Sequence, residues 1–374
     1  MFRRFLIGGA LFALTVGQAL AQPVEPTIET LQASAKALAG TDWPGVYMRL
    51  CIPTVGADER VTPTVDPNDY PTTILPTPPG GTPPRPNWYS PPARIGDNLY
   101  FLGTRNHNTY ALVARTGEII LIDGNFEYAT DAEIHEGLRA VGLDLRKVRY
   151  ALYAHAHADH DGGAHLTEAA IPGVTIVYGE GDWPSVLARS GPHATRFGPE
   201  NDGTDGRVIT VGDVSVQIVT TPGHTPGTLS FLFEFKDRGR RIRVAYPGGT
   251  AISFTNPDPA YYDEYIASVR KFAQAAADYG ATALLSNHTE FDNGYFKAQT
   301  ALALRELHDD KGRKGHDERH RNRDHDRGRG SVKTGNIRKD VPNPYYVGQR
   351  RVLNYLGVVE LCAMAAKLRA TGGL

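Results

Sequence analysis

Cysteine is nearly absent from this chain: its 374 residues include two, Cys51 and Cys362. Two such distant cysteines cannot build a disulfide framework, a cysteine-based zinc site or a redox motif. An oxidising compartment would allow one bridge between them, tying the start of the folded chain to its last helix; two buried free thiols suit the sequence equally. Charge of one sign is also lacking. With 40 basic against 41 acidic residues the formal net charge is −1, so neither nucleic acid nor an anionic membrane surface is expected as a partner. No segment is apolar over the ~20 residues that a membrane span needs. What remains is ordinary globular composition, 41% hydrophobic and 22% charged. That permits a substantial core, in one large domain or two modest ones. It sets no oligomeric state.

The two unusual stretches lie outside that core. Arg3 and Arg4 precede an apolar run from Phe5 to Val16, and Ala19-Leu20-Ala21 follows as a small-x-small pattern. This reads as a secretory signal peptide over residues 1–21, removed before Gln22. The expectation is a soluble protein exported to a bacterial periplasm. Residues 22–92 form a proline-rich N-terminal segment, with a short helix expected over Ile28 to Leu38 and prolines accumulating from Pro63 to Pro86. Pro and Gly at this density argue against regular structure, so an extended surface segment or mobile arm is expected. Residues 308–330 hold almost nothing apolar, and a charged, disordered insertion is expected over 308–340. His316 and His320 within it are four residues apart, a spacing that would suit a metal if the segment were helical.

Between these stretches the patterns are regular. Short β-rich runs are expected over 99–103, 110–114, 118–122, 148–154, 174–178, 207–211, 214–219, 229–235, 241–245 and 282–286. Helical spacing is expected over 131–141, 263–279 and 347–368, the last with Val352, Leu356, Val359, Ala363 and Ala366 on one face. Two β-rich blocks, each followed by helices, predict an α/β sandwich over 93–374, with helices outside packed sheets.

The chemistry concentrates in His155-Ala156-His157-Ala158-Asp159-His160, just after an expected strand. In extended chain, residues i and i+2 point the same way, so His155 and His157 can face one metal ion. Where the chain turns, Asp159 and His160 can face a second point. Neutral imidazoles with one carboxylate suit Zn²⁺. His224 sits in the rigid loop Thr221-Pro222-Gly223-His224-Thr225-Pro226-Gly227, and His288 follows a short buried strand. Together they complete two sets of three ligands.

The runs HAHADHDGG, TPGHTPGTLSF and SNHT closely resemble the metallo-β-lactamase fold superfamily over roughly residues 93–300, and their order and spacing are most similar to subclass B3 metallo-β-lactamases. The resemblance implies an αββα sandwich in one catalytic domain, with two zinc ions in a groove at the sheet edges. It implies that His155, His157 and His224 hold the first zinc and Asp159, His160 and His288 the second. Asp123 would support the metal loop from behind. It further implies a zinc-activated hydroxide that attacks a carbonyl, with Asp159 relaying the proton. Glyoxalase II and acyl-homoserine lactonases carry a bridging aspartate where this chain has Val244-Ala245-Tyr246-Pro247-Gly248-Gly249-Thr250. Its absence argues for the B3-like arrangement and weakens a persulfide dioxygenase reading with iron. B3 enzymes have serines near this point that hold the substrate carboxylate, and Thr250 is the candidate for that contact. The expected reaction is β-lactam hydrolysis on a small-molecule substrate. Hydrolysis of lactones or other esters is the alternative, and a non-catalytic periplasmic metal-binding protein is a second.

Overall fold

The computed structural model describes residues 26–52, 82–254, 256–321 and 342–372, with backbone only for 308–321. The expected signal peptide, the prolines from Pro63 to Pro79 and the insertion beyond 321 lie outside the described residues.

Among the described residues, twelve strands form two sheets. The first has seven strands in sequential order: β1 (Ala93–Arg94), β2 (Leu99–Phe101), β3 (Tyr110–Val113), β4 (Ile119–Ile122), β5 (Val148–Leu152), β6 (Thr175–Gly179) and β7 (Asp202–Gly203). The second has five, β8 (Val208–Val211), β9 (Val214–Thr220), β10 (Leu229–Asp237), β11 (Arg240–Tyr246) and β12 (Ala283–Leu284), in the order β12-β11-β10-β9-β8.

The side-chain pattern explains why these sheets stack. Ile119-Ile120-Leu121-Ile122 is buried on both faces, as a strand covered on both sides must be. Ile120 and Ile122 enter the core between the sheets, where Phe231, Phe233 and Phe235 of β10 also point. Ile119 and Leu121 enter an outer core with Leu138 and Trp183. On the second sheet Leu232 faces outward to Trp43, Phe272, Tyr355 and Leu356. Helix, sheet, sheet and helix thus stack in four layers, the expected αββα sandwich.

At the N-terminus the expected short helix is present as Ile28–Ala39. A second helix, Pro44–Cys51, stands where an extended arm was expected. The first carries a capping box, with the Thr27 hydroxyl accepting from Thr30 N. Trp43, Val46 and Leu50 are buried against the C-terminal helix Gln349–Ala370, because this pair supplies the apolar cover that the helix face at Val352, Leu356 and Val359 needs. Cys51 and Cys362 are bridged, which resolves the alternative left open by the sequence. The helix Gly294–Arg321 runs into the charged segment, so its backbone is helical through 321 rather than irregular from 308. Among the described residues no helix is long and apolar enough to cross a membrane.

The expected helix over 131–141 begins earlier and is interrupted. A π turn, Asp131–His135, joins Glu127–Thr130 to Glu136–Ala140. It points Glu133 into the interior, where one carboxylate oxygen accepts from Ser90 N at 2.9 Å. Burial pushes the Glu133 carboxyl up to about 9. The folded protein therefore keeps a proton that the unfolded chain sheds above its ordinary value, and stability from this group falls as pH rises from about 4.5 toward 9. Replacing Glu133 with Gln keeps an acceptor for Ser90 and removes that cost. The substitution is expected to raise the melting temperature by a few degrees at pH 8, on the order of 1–3 kcal/mol, and to make no difference near pH 4. Thermal unfolding across that pH range checks it.

Candidate metal centre

The strand ends explain how distant residues meet. β4, β5 and β6 are parallel, and the histidine hexapeptide leaves the C-terminal end of β5. β9 and β10 are antiparallel, and the loop between them carries His224. β12 runs parallel to β11, and His288 follows it. Ligands in α/β sheets gather outside the carboxyl ends of strands, and these loops gather at one such edge.

The first donor set is His155, His157 and His224. His224 Nε2 lies 3.1 Å from His155 Nε2 and 3.0 Å from His157 Nδ1. Two rings are pinned from behind. His155 Nδ1 donates to Gly248 O at 2.8 Å, and His224 Nδ1 donates to Ala251 O at 2.8 Å. Each bond places the proton on Nδ1 and leaves the Nε2 lone pair facing the shared centre. Burial, then the neighbouring imidazoles, holds His155 well below the usual histidine range. The same causes bring His224 down to about 4. Neutral imidazoles are what a metal ion requires.

The second region contains all three expected donors and one more. Asp159 Oδ2 lies 3.2 Å from His160 Nε2 and 3.5 Å from His288 Nε2, and those two ring nitrogens are 3.0 Å apart. His160 Nδ1 faces Asp123 Oδ2 at 3.1 Å, so Asp123 lies behind the metal loop. Tyr246 donates its hydroxyl to the same Asp123 oxygen at 2.8 Å. Asp123 holds this position with φ of +66°, a left-handed conformation costly outside glycine. Burial opposes charge on His160, but Asp159 and Asp123 outweigh it and raise its proton affinity well above the usual range. Burial works against the Asp159 carboxylate too, yet His160 and its neighbours hold it far below the ordinary range.

His107 was not foreseen. It joins Asp159 and His288 in a group whose donor atoms all lie within 4.8 Å of one another. The route is nonlocal. β3 is antiparallel to β4 with Tyr110 opposite Ile122, so the loop before β3 returns to the edge where Asp123 follows β4. Register of that hairpin was the available signal, because it places residue 107 beside the metal loop.

Asp182 was also not foreseen. Its Oδ2 accepts from Ala156 N at 2.8 Å and from the Thr225 hydroxyl at 2.9 Å, while Oδ1 accepts from Gly227 N at 2.8 Å. One carboxylate thereby locks the hexapeptide to the His224 loop. Arg189 adds a brace, donating to Ala156 O at 2.8 Å and pairing with buried Asp161 at 2.7 Å.

Where a bridging carboxylate would stand, there is no room. A Cβ on Gly248 would meet Leu229 O at 1.7 Å, and one on Gly249 would meet His224 Cβ at 2.6 Å. Thr250 does not take the expected role. It is 3% exposed, and its hydroxyl lies 3.1 Å from that of Tyr355 on the C-terminal helix. It serves the packing between sheet and helix and does not face the groove. His316 and His320 have no described side chains.

Residues 102–279 match the family model described as the metallo-beta-lactamase superfamily. The solved structure of BJP-1, a subclass B3 metallo-beta-lactamase of Bradyrhizobium japonicum, is similar with a TM-score of 0.50 and 20% identity, over 71% of this chain and 89% of that one. The metallo-beta-lactamase SMB-1 gives 0.51 and 21%, over 75% and 94%. At these identities the likeness is one of fold. Curated relatives are aligned over shorter stretches. A hydroxyacylglutathione hydrolase of Anaeromyxobacter dehalogenans is 29% identical over 36% of this chain and 44% of its own length. The human mitochondrial persulfide dioxygenase ETHE1 is 34% identical over 33% and 42%. The chain thus spans less than half the length of these relatives.

Removing the Asp182 lock is expected to weaken metal binding. Asp182→Ala should lower affinity for the first ion by roughly 10–100-fold, the usual cost of losing a partner that orients ligands. A competition titration against a chromophoric chelator reads this, and unchanged affinity would show that the two loops hold themselves. The αββα layers and the donors gathered at one sheet edge agree with the match of residues 102–279 to the metallo-beta-lactamase superfamily model.

Proposed function

We propose that this protein is a zinc-dependent hydrolase holding two ions, acting on the amide of a β-lactam or a close cyclic relative. The observation that carries the reading is the pair of donor sets side by side at one sheet edge, with no side chain able to bridge them from Gly248 or Gly249. Zinc, bound by these residues, supplies water ionised near neutral pH (pKa about 7) and a Lewis acid for the carbonyl.

The chain's own residues supply the rest. His157 is the exposed member of the first set, so that set opens to the groove, where a carbonyl can approach. Asp159 belongs to the second set, its carboxylate in reach of His160, His288 and His107, and is the group to carry a proton from attacking water to leaving nitrogen. Phe126 and Tyr128 are stacked, with ring centroids 5.2 Å apart. Burial and then Asp159 push the Tyr128 hydroxyl up to about 12, so Tyr128 stands near the reacting region as a neutral, amphipathic wall. The same elements would serve a lactone or another ester. The relative named as a hydroxyacylglutathione hydrolase keeps that second reading in view.

An exported, periplasmic location accords with this reading. The bridge between Cys51 and Cys362 is a bond that persists in oxidising compartments. A small-molecule substrate is the partner it implies.

The test is a hydrolysis screen of zinc-loaded protein on a carbapenem, a penicillin, a lactone and a simple ester, with and without a chelator. Ring opening of at least one β-lactam, abolished by chelation and restored by zinc, is expected. Turnover confined to the oxygen esters would sink the β-lactam reading and leave the ester alternative. Metal uptake without turnover of any of them would favour a metal-binding protein.

A further inference from the structure

We propose that His107 is a fourth protein donor to the second ion, closing that site, while the first keeps an open position for chemistry. This rests on the two-ion reading above. It concerns which residues hold the second ion, not what the enzyme hydrolyses.

His107 is placed too firmly to be incidental. It pairs as an antiparallel bridge with His288 itself. On either side of it, Thr289 N donates to Asn106 O at 2.9 Å and Asn108 N donates to Asn287 O at 2.8 Å. The Asn108 side chain donates to Ser286 O at 2.8 Å and accepts from the Thr289 hydroxyl at 2.9 Å. Beneath, a Cβ on Gly103 would strike His107 O at 2.3 Å, so the turn closes tightly under the histidine. The loop carrying His107 is thus laced to the loop carrying an expected ligand.

The side chain is buried and unsatisfied. His107 is 4% exposed, and its Nε2 makes no well-formed hydrogen bond. That nitrogen stands 3.4 Å from Asp159 Oδ2, a long separation for a hydrogen bond. A buried polar atom without a partner costs free energy, and a metal ion shared with Asp159 and His288 would satisfy it. The ring meets His288 at 4.9 Å and Phe126 at 5.1 Å between centroids, both edge-on. On the far side Phe291 packs edge-on against His288 at 5.5 Å.

His107, Asp159 and His288 form the close donor group, and His160, with Nε2 at 3.0 Å from His288 Nε2 and 3.2 Å from Asp159 Oδ2, would bring the count to three imidazoles and one carboxylate, the number of ligands in a closed zinc site. Zinc sites with four protein ligands are closed, whereas catalytic sites keep a position for water. The first set has three donors and an exposed member, and fits the open kind. The division of labour follows: the second ion is held hard and sets the local charge, and substrate is engaged at the first.

The test is metal retention and ligand spectroscopy, with activity set aside. Wild-type protein loaded with two equivalents of zinc should lose one readily to a chelator and retain the other. His107→Ala should release the retained equivalent, with affinity reduced beyond the roughly 10–100-fold cost of losing an orienting partner. Cobalt placed in a His224→Ala background should give the intense visible bands of a four-coordinate site. Adding His107→Ala should weaken and shift them. Equal melting temperatures of the metal-free variants would certify that the fold survives. An unchanged cobalt spectrum in His107→Ala overturns the proposal, whether affinity falls or holds, because His107 would then only orient Asp159. Failure of the wild type to take up two equivalents would instead strike the two-ion reading itself.

Discussion

A histidine binds metal through one nitrogen, and the hydrogen bond at the other decides which. In this protein the backbone carbonyls of Gly248 and Ala251 accept from the Nδ1 atoms of His155 and His224. Asp123 faces the Nδ1 of His160 at 3.1 Å from a strained backbone. The two carbonyl contacts aim two lone pairs inward before any ion arrives. The loop that supplies the two carbonyls must then lie directly against the histidines. Gly248 and Gly249 have no side chains because the space is occupied by Leu229 and His224. The missing bridging carboxylate and the orientation of the ligands are therefore one constraint seen from two sides.

The rest of the architecture serves that edge. Asp182 joins the hexapeptide to the His224 loop through one carboxylate. Tyr246, deep between the sheets, reaches Asp123 from behind. The second sheet is sealed outside by the helices Pro259–Tyr279 and Gln349–Ala370, and the latter is covered in turn by the N-terminal pair that Cys51 ties to Cys362. The burial lies away from the donors and keeps the strand ends in register.

Much of this was legible locally. The hexapeptide, the glycine- and proline-bracketed His224 and the strand-end His288 each announce themselves by residue type and neighbours. The alternation that buries Ile120 and Ile122 on one face and Ile119 and Leu121 on the other is also written in the chain. What escaped depends on pairing between distant segments. His107 reaches the centre only through the register of β3 on β4, and Asp182 only by the meeting of two loops. Thr250 was misjudged because proximity along the chain to the metal loops says nothing about which side of a strand end a hydroxyl takes. It faces Tyr355. The helix Pro44–Cys51 has no local signature beside the prolines that dominate the composition after it, and Trp43 and Val46 reveal themselves only against their partner helix.

The claim on which everything else stands is that two ions occupy two distinct donor sets at this edge. Anomalous diffraction at the zinc absorption edge, from crystals of metal-loaded protein, tests it most directly. The account predicts two peaks: one among His155, His157 and His224, and one among Asp159, His160, His288 and His107. A single peak, or a second peak away from those residues, would contradict it.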